Sequence, residues 1–547
     1  MRPRPGRRYR IRGLSVRLSF VLPANGRELP RFNAARYFVD RHLEEGRGER
    51  VAILCGSQQI TYSELARFVN RFGSGLRDTL GVRMEERLLL LLPDIPEFAY
   101  CFFGAIKVGA VPVPVNTLLR SNEYEYLLND TRARVAVVSE SLAPLLLEIP
   151  RERLEFLREV VIVGAAGGLP PGTLSLEHLL ASGSGRLDAA PTCEDDAAFW
   201  LYSSGSTGFP KGCVHLQHDM VAATEQYASA VLQIRESDRF FSLAKLFFAY
   251  GLGNALYFPF AVGGTSILCP DRPSPENVLA VIKRHRPTLL FLAPSHLAAL
   301  VEACGEERGC DLSSIRLTVS AGEALPAHLS ERFSKRFGIE VLDGIGSTEA
   351  LHIFISNYPG EVRPGSSGRI VPGCEARILD DEGRPVPAGE IGNLWLKSEA
   401  VCAGYWNRHQ RSKQTIHGEW LSTGDKFYQD KDGYYWFAGR ADDMLKVSGV
   451  WVSPSEIENV LAEHEAVAEL AVVAQQDKDG LTKPVAWVVV KKDFTAGPEL
   501  AQSLLDFVVA RLPVYKRPRK IEFVKELPRT STGKIRRFKL RQRLVAE

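Results

Sequence analysis

The segment Tyr202-Ser203-Ser204-Gly205-Ser206-Thr207-Gly208-Phe209-Pro210-Lys211-Gly212 crowds hydroxyls, glycines, a proline and a lysine together, directly after the apolar Ala197-Ala198-Phe199-Trp200-Leu201. Glycines let a backbone approach phosphate oxygens, hydroxyls donate to them, and a lysine adds positive charge. That is the chemistry of a loop that grips a polyphosphate. It is not a Walker A loop, because Gly212 rather than Ser or Thr follows Lys211 and the glycine spacing differs. An ordinary turn rich in serine and glycine has the same composition, so this segment alone leaves both readings open.

Four further segments follow in order: Asp343-Gly344-Ile345-Gly346-Ser347-Thr348-Glu349, Ser422-Thr423-Gly424-Asp425, Gly439-Arg440-Ala441-Asp442-Asp443 and Pro528-Arg529-Thr530-Ser531-Thr532-Gly533-Lys534-Ile535. Together with the first, they resemble the acyl-adenylate-forming (AMP-binding) enzymes, which include acyl-CoA ligases, peptide-synthetase adenylation domains and firefly-type luciferases. A carboxylate is a poor electrophile. Moving AMP onto it makes a mixed anhydride with a good leaving group, which a thiol then attacks. The resemblance implies that Ser203, Ser204, Gly205, Ser206, Thr207, Gly208 and Lys211 hold the β- and γ-phosphates of ATP. It places Thr348 against the α-phosphate and makes Glu349 a ligand of Mg2+, which favours carboxylate and phosphate oxygens. Asp343, Gly344, Ile345, Gly346 and Ser347 join the nucleotide site, as do Ala321, Gly322 and Glu323 of Ser320-Ala321-Gly322-Glu323-Ala324, which match the stretch lying along adenine. Asp425 corresponds to the ribose anchor, since a carboxylate accepts from both hydroxyls, and Arg440 to a second nucleotide contact. Lys534 corresponds to the catalytic lysine that bridges the substrate carboxylate and the α-phosphate. Each residue has a plainer reading: a surface glutamate, an aspartate in a turn, one lysine in a basic tail.

The aromatic stretch Phe247-Phe248-Ala249-Tyr250-Gly251 and the segment Leu351-His352-Ile353-Phe354 resemble the benzoate–CoA ligase branch, where they wall a small aryl pocket. The resemblance assigns Phe248, Ala249, Tyr250, Ala293, Leu351, His352 and Ile353 to that pocket, with Phe248 and Tyr250 about a flat ring. Core packing explains such a stripe equally well. Leu292-Ala293-Pro294 departs from the Gly-Val-Pro common in that branch, and a Leu292 facing the ligand would reshape the pocket. The implied reaction joins benzoate or a substituted benzoate to CoA at the expense of ATP. A free-standing acyl carrier protein is the alternative acceptor. A small C-terminal domain that swings between the two half-reactions is also implied, with Asp442 at the hinge. Lys446, Ser448, Gly449 and Trp451 would then face the site during thioester formation.

What must position these residues is an α/β scaffold. At 547 residues the chain exceeds what one core serves. Thr61 to Glu64 reads as a capping box opening a helix with Leu65, Phe68, Val69, Phe72 and Leu76 on one face. Apolar runs at Leu88–Leu92, Val135–Val138 and Val160–Val163, alternating with helical patterns such as Glu97–Lys107, predict buried parallel strands. From Ile378 to Trp436, short strands and Gly/Pro turns predict a mostly antiparallel, barrel-like section. Ser453-Pro454-Ser455-Glu456 predicts a capped helix opening a compact α+β tail. The expected layout is a basic, disordered extension over 1–30, an adenylate-forming domain over 31–441 and the swinging domain over 442–547. Net charge is +3, yet seven arginines fall within the first seventeen residues, so the remainder carries −4. No basic patch elsewhere suggests nucleic acid, and no apolar run is long enough to span a membrane. Nine cysteines without a C-x-x-C pair argue against a disulfide framework or zinc site and for a reducing, cytoplasmic setting. The chain is expected to be a monomer or homodimer.

Overall fold

A computed structural model describes residues 31–165, 168–203, 210–305, 310–440, 445–447, 450–476, 482–529 and 535–545. The basic stretch 1–30 lies outside them. From Phe32 the chain is tied to the body, its amide donating to the Thr192 carbonyl at 2.7 Å. The expected capping box is present: Thr61 Oγ1 accepts from the Glu64 amide at 3.2 Å, and Glu64 Oε2 from the Thr61 amide at 3.0 Å. It opens the helix Tyr62–Ser74, whose Leu65, Val69 and Phe72 are fully buried. The apolar runs form the strands Arg87–Leu91, Val135–Ser139 and Glu159–Val163 of an all-parallel sheet. Val111–Pro114 and Leu174–Ser175 complete it at the two edges. Hydrophobic strands covered on both faces are what such a sheet requires.

A nine-stranded sheet carries most of the site. Its central strands run parallel in the spatial order Val341–Gly346, Leu317–Ser320, Leu289–Leu292, Arg239–Ser242, Thr265–Leu268, Val51–Cys55. Antiparallel partners close both ends, Gln58–Thr61 at one and Ile353–Ser356 with Arg369–Ile370 at the other. A three-stranded antiparallel sheet holds Ala197–Ser203, Lys211–Leu216 and Gly404–Tyr405. The section predicted as barrel-like is an antiparallel five-stranded sheet built on the long strand Trp420–Gln429.

The tail has its own cores, formed wholly by residues between Leu445 and Leu540. Its helix Pro454–Ala462 is capped by Ser453, whose Oγ accepts from the Glu456 amide at 3.3 Å. The Glu456 carboxylate pairs instead with Lys516. One expectation is corrected. Cys304 and Cys310 form a disulfide, their Cα atoms 5.7 Å apart, while seven cysteines are free. The spacing of the two matches no known motif; Cys304 is the last residue of the helix Pro294–Cys304. Among the described residues, no helix is long and apolar enough to cross a membrane.

Candidate active site

The glycine- and hydroxyl-rich segment joins the two strands of a hairpin. Ser203 and Lys211 are paired across it, and Ser204 to Gly208 lie outside the described residues. Both stems are pinned by a neighbouring helix, Ser121–Thr131. Tyr202 donates from its hydroxyl to Asp130 Oδ2 at 2.6 Å, and Tyr126 donates to the Pro210 carbonyl at 3.0 Å. The hairpin meets the second segment directly. Glu349 Oε1 accepts from Ser203 Oγ at 3.3 Å and from the Tyr405 hydroxyl at 2.7 Å. Lys211 Nζ lies 4.4 Å from the centre of the same Tyr405 ring. Burial pulls the Lys211 ammonium below its usual range, and the negative charge of Glu349 opposes this. Sequence reasoning missed Tyr405, Tyr126 and Asp130. Their partners lie at least 56 residues away, so no local spacing marks them.

Two further groups of nucleotide candidates sit at the carboxyl ends of neighbouring parallel strands, where open α/β sheets bind ligands. Ala321, Gly322 and Glu323 follow Leu317–Ser320; Gly322 has φ +97°, and it and Glu323 are exposed. Asp343, Gly344, Ile345 and Gly346 belong to the strand Val341–Gly346. The Asp343 side chain turns inward, where burial pushes its carboxyl well above the usual range. Gly346 is demanded by the strand beside it: a Cβ there would lie 2.5 Å from the His352 carbonyl oxygen. Ser347 Oγ accepts from the Ala350 amide at 3.1 Å, closing the turn that presents Thr348 and Glu349. Asp425 and Arg440 stand opposite each other on adjacent strands, Oδ1 to Nη1 at 2.8 Å. They form one unit, with Asp425 buried and Arg440 reaching outward.

The aromatic candidates converge less completely. Ala249 and Tyr250 lie on the short helix Ala249–Leu252, with Phe248 just before it. The Tyr250 ring packs on His352, centroids 5.6 Å apart, and on the edge of Phe291 at 6.3 Å. Its hydroxyl donates to the Val319 carbonyl at 3.1 Å. Phe248 packs on Phe247 instead, centroids 4.4 Å apart. His352 is buried among Tyr227, Tyr250 and Phe258, and Nε2 lies 3.1 Å from Asn254 Oδ1. Burial depresses its pKa to about 3, so the ring is neutral at physiological pH. Leu351, with φ +63°, turns the backbone between Glu349 and His352, and Ile353 continues it as a strand. Ala293 is half-buried and precedes the helix Pro294–Cys304. Leu292 packs with Leu243, Leu297 and Leu325, in a different cluster from Phe291, so its side chain points away from Tyr250.

Lys534, Asp442, Ser448 and Gly449 lie outside the described residues. Lys446 and Trp451 are on the paired antiparallel strands Leu445–Val447 and Val450–Val452. The donor chemistry suits Mg2+ bound to a nucleotide: Glu349 supplies one hard carboxylate beside the hairpin that carries Ser203 and Lys211, and Mg2+ takes few protein ligands when phosphate oxygens complete its shell.

Residues 39–406 match the AMP-binding enzyme family, and residues 456–534 match the AMP-binding enzyme C-terminal domain. The chain is 47% identical to the benzoate–CoA ligase of Thauera aromatica over 514 residues, covering 93% of this chain and 96% of that one. Its fold is similar to that of an anthranilate CoA ligase solved in complex with anthranoyl-AMP, with a TM-score of 0.89 and 44% identity, covering 95% of this chain and 98% of that one. It is also similar to a benzoate CoA ligase from Burkholderia xenovorans LB400, with a TM-score of 0.84 and 43% identity, covering 93% and 100%. With its hairpin, its Glu349 turn and both matched segments in order, the chain belongs to the AMP-binding enzyme family.

Proposed function

We propose that this protein is an aryl-CoA ligase: it activates benzoate or a substituted benzoate with ATP and passes the acyl group to CoA, releasing pyrophosphate and then AMP. The observation that carries this reading is the turn from Ser347 to Ile353. At one end, Glu349 meets Ser203 and Tyr405 beside Lys211; at the other, His352 packs on Tyr250. One short segment thus joins the polyphosphate grip to an aromatic wall. A neutral His352 among aromatic rings suits a flat ring and offers no cation to a carboxylate. We assign the cation to Lys534, on the likeness of Thr532-Gly533-Lys534 to the family's motif.

In the first half-reaction a carboxylate oxygen attacks the α-phosphorus and pyrophosphate leaves. The hairpin with Lys211 holds the departing phosphates, Asp425 with Arg440 anchors the ribose, and Thr348 lies against the α-phosphate. When bound beside Glu349, Mg2+ neutralises phosphate charge. In the second half-reaction the CoA sulfur attacks the acyl carbon and AMP leaves. We place the hinge for the change between them at Asp442, with Lys446, Ser448, Gly449 and Trp451 turned to the site for the second step.

The test is pyrophosphate release with benzoate, its 2-amino and hydroxy derivatives, cinnamate, hexanoate and acetate, each with and without CoA. Release confined to the benzoates and driven to turnover by CoA supports the proposal. Release with the aliphatic acids, or turnover only with a carrier protein, refutes it.

A further inference from the structure

His215 is fully buried on the strand Lys211–Leu216, just beyond the phosphate-gripping loop. Its ring stacks on Phe199, centroids 5.1 Å apart and planes 17° off parallel. A packing role would end there. The two nitrogens, however, are both engaged: Nδ1 lies 2.8 Å from Asp219 Oδ2, and Nε2 lies 2.9 Å from the Thr348 carbonyl oxygen. A backbone carbonyl only accepts, so Nε2 donates to Thr348. Asp219 is itself fully buried, and Oδ2 also accepts from the Leu216 amide at 3.1 Å, which fixes the carboxylate that orients the ring.

The bond to Thr348 spans 133 residues and lands on the turn that carries Glu349. That turn needs holding. Leu351 is a non-glycine residue at φ +63°, a conformation that persists only where the surroundings enforce it. The Thr348 carbonyl takes the Leu351 amide at 3.2 Å as well as His215, while the Cys402 amide donates to the Glu349 carbonyl at 2.8 Å. We infer that His215, oriented by Asp219, is a positioning residue for the adenylation half-reaction: by holding the Thr348 carbonyl it sets the direction from which Glu349 meets the Mg2+–ATP complex. The inference rests on the reading of Glu349 as the contact to that complex.

The test compares the wild-type chain with His215→Phe, which keeps the ring on Phe199 and loses both ring nitrogens, and with Asp219→Asn, which keeps shape and an acceptor. ATP binding is measured by calorimetry with Mg2+ and with EDTA, and aryl-CoA formation is measured from a supplied aryl-adenylate. In His215→Phe, the Mg2+-dependent gain in ATP affinity and the rate of pyrophosphate release are expected to fall about 10- to 100-fold, as for other residues that orient a metal ligand. Binding in EDTA and transfer from the aryl-adenylate are expected to stay within about twofold. Asp219→Asn gives a smaller loss of the same kind. If His215→Phe fails to fold, judged by circular dichroism, His215→Gln replaces it, since one amide donor still reaches one acceptor. Equal loss in both half-reactions, or an unchanged Mg2+ dependence, would overturn the positioning role. A wild-type chain that binds ATP without regard to Mg2+ would overturn the Glu349 reading, and this inference with it.

Discussion

Glu349 and His352 lie three residues apart in different surroundings. Glu349 sits in a polar corner beside Lys211, Ser203 and Tyr405. Glu349→Gln is expected to cut pyrophosphate release by about 100-fold or more, because a neutral amide gives up the charge that faces the metal–phosphate complex. Single-turnover kinetics at saturating ATP check it. His352 is held neutral by burial, with a folded pKa of about 3 against an ordinary 6.5. The unfolded side chain therefore binds a proton that the folded one refuses between those values. Its contribution is harmless above pH 6.5, and stability drains as pH falls towards 3, at about 1.4 kcal/mol per pH unit at the steepest. His42, with a pKa also near 3, works in the same sense, whereas the raised carboxyl of Asp94, about 6, works against it. The comparison of wild type with His352→Asn isolates one group. Urea midpoints between pH 7 and pH 4.5 are expected to fall less steeply in the variant.

At the level of elements, the Asp425–Arg440 pair shows how backbone and charge are joined. Gly424 has φ +73°, and a Cβ there would lie 2.9 Å from an Arg440 guanidinium nitrogen. Gly424→Ala thus meets a strained backbone, costing about 1–2 kcal/mol, and also pushes Arg440 from Asp425. A lowered melting temperature and a raised KM for ATP, with little change in the KM for the acid, are expected. Elements with local causes were legible in the sequence. The run Leu88–Leu92 is the strand Arg87–Leu91, because a strand covered on both faces must be apolar throughout. The same uniformity hides facing: Leu289–Leu292 has no alternation to reveal that Leu292 and Phe291 enter different clusters. The Glu456 signal was half right, since Ser453 caps the helix while Lys516, sixty residues on, captures the glutamate.

Across the whole molecule, the tail has cores separate from those of the main body among the described residues, as the proposed reorientation requires. Two substitutions test our assignment of its roles. Lys534→Ala is expected to abolish aryl-adenylate formation while still passing a supplied aryl-adenylate to CoA. Asp442→Pro is expected to slow CoA consumption more than pyrophosphate release, because a fixed φ obstructs the hinge. Equal loss of both steps in either variant would remove the domain-swing reading.

The sequence by itself determined the chemistry on offer: a hydroxyl- and glycine-rich loop with Lys211, the acidic turn at Glu349, the Asp425 and Arg440 segments, and the aromatic stretch at Phe247–Tyr250. Each is a local pattern, and the parallel strands Arg87–Leu91, Val135–Ser139 and Glu159–Val163 are written in short apolar runs. Only the tertiary structure decided the company these residues keep. Tyr405 reaches Glu349 from 56 positions away, His215 reaches Thr348 from 133, and Tyr126 reaches Pro210 from 84. Cys304 joins Cys310, and Leu292 turns from the aromatic wall. The reason is physical: local spacing governs caps, turns and strand composition, whereas a buried donor takes whichever acceptor packing brings within about 3 Å.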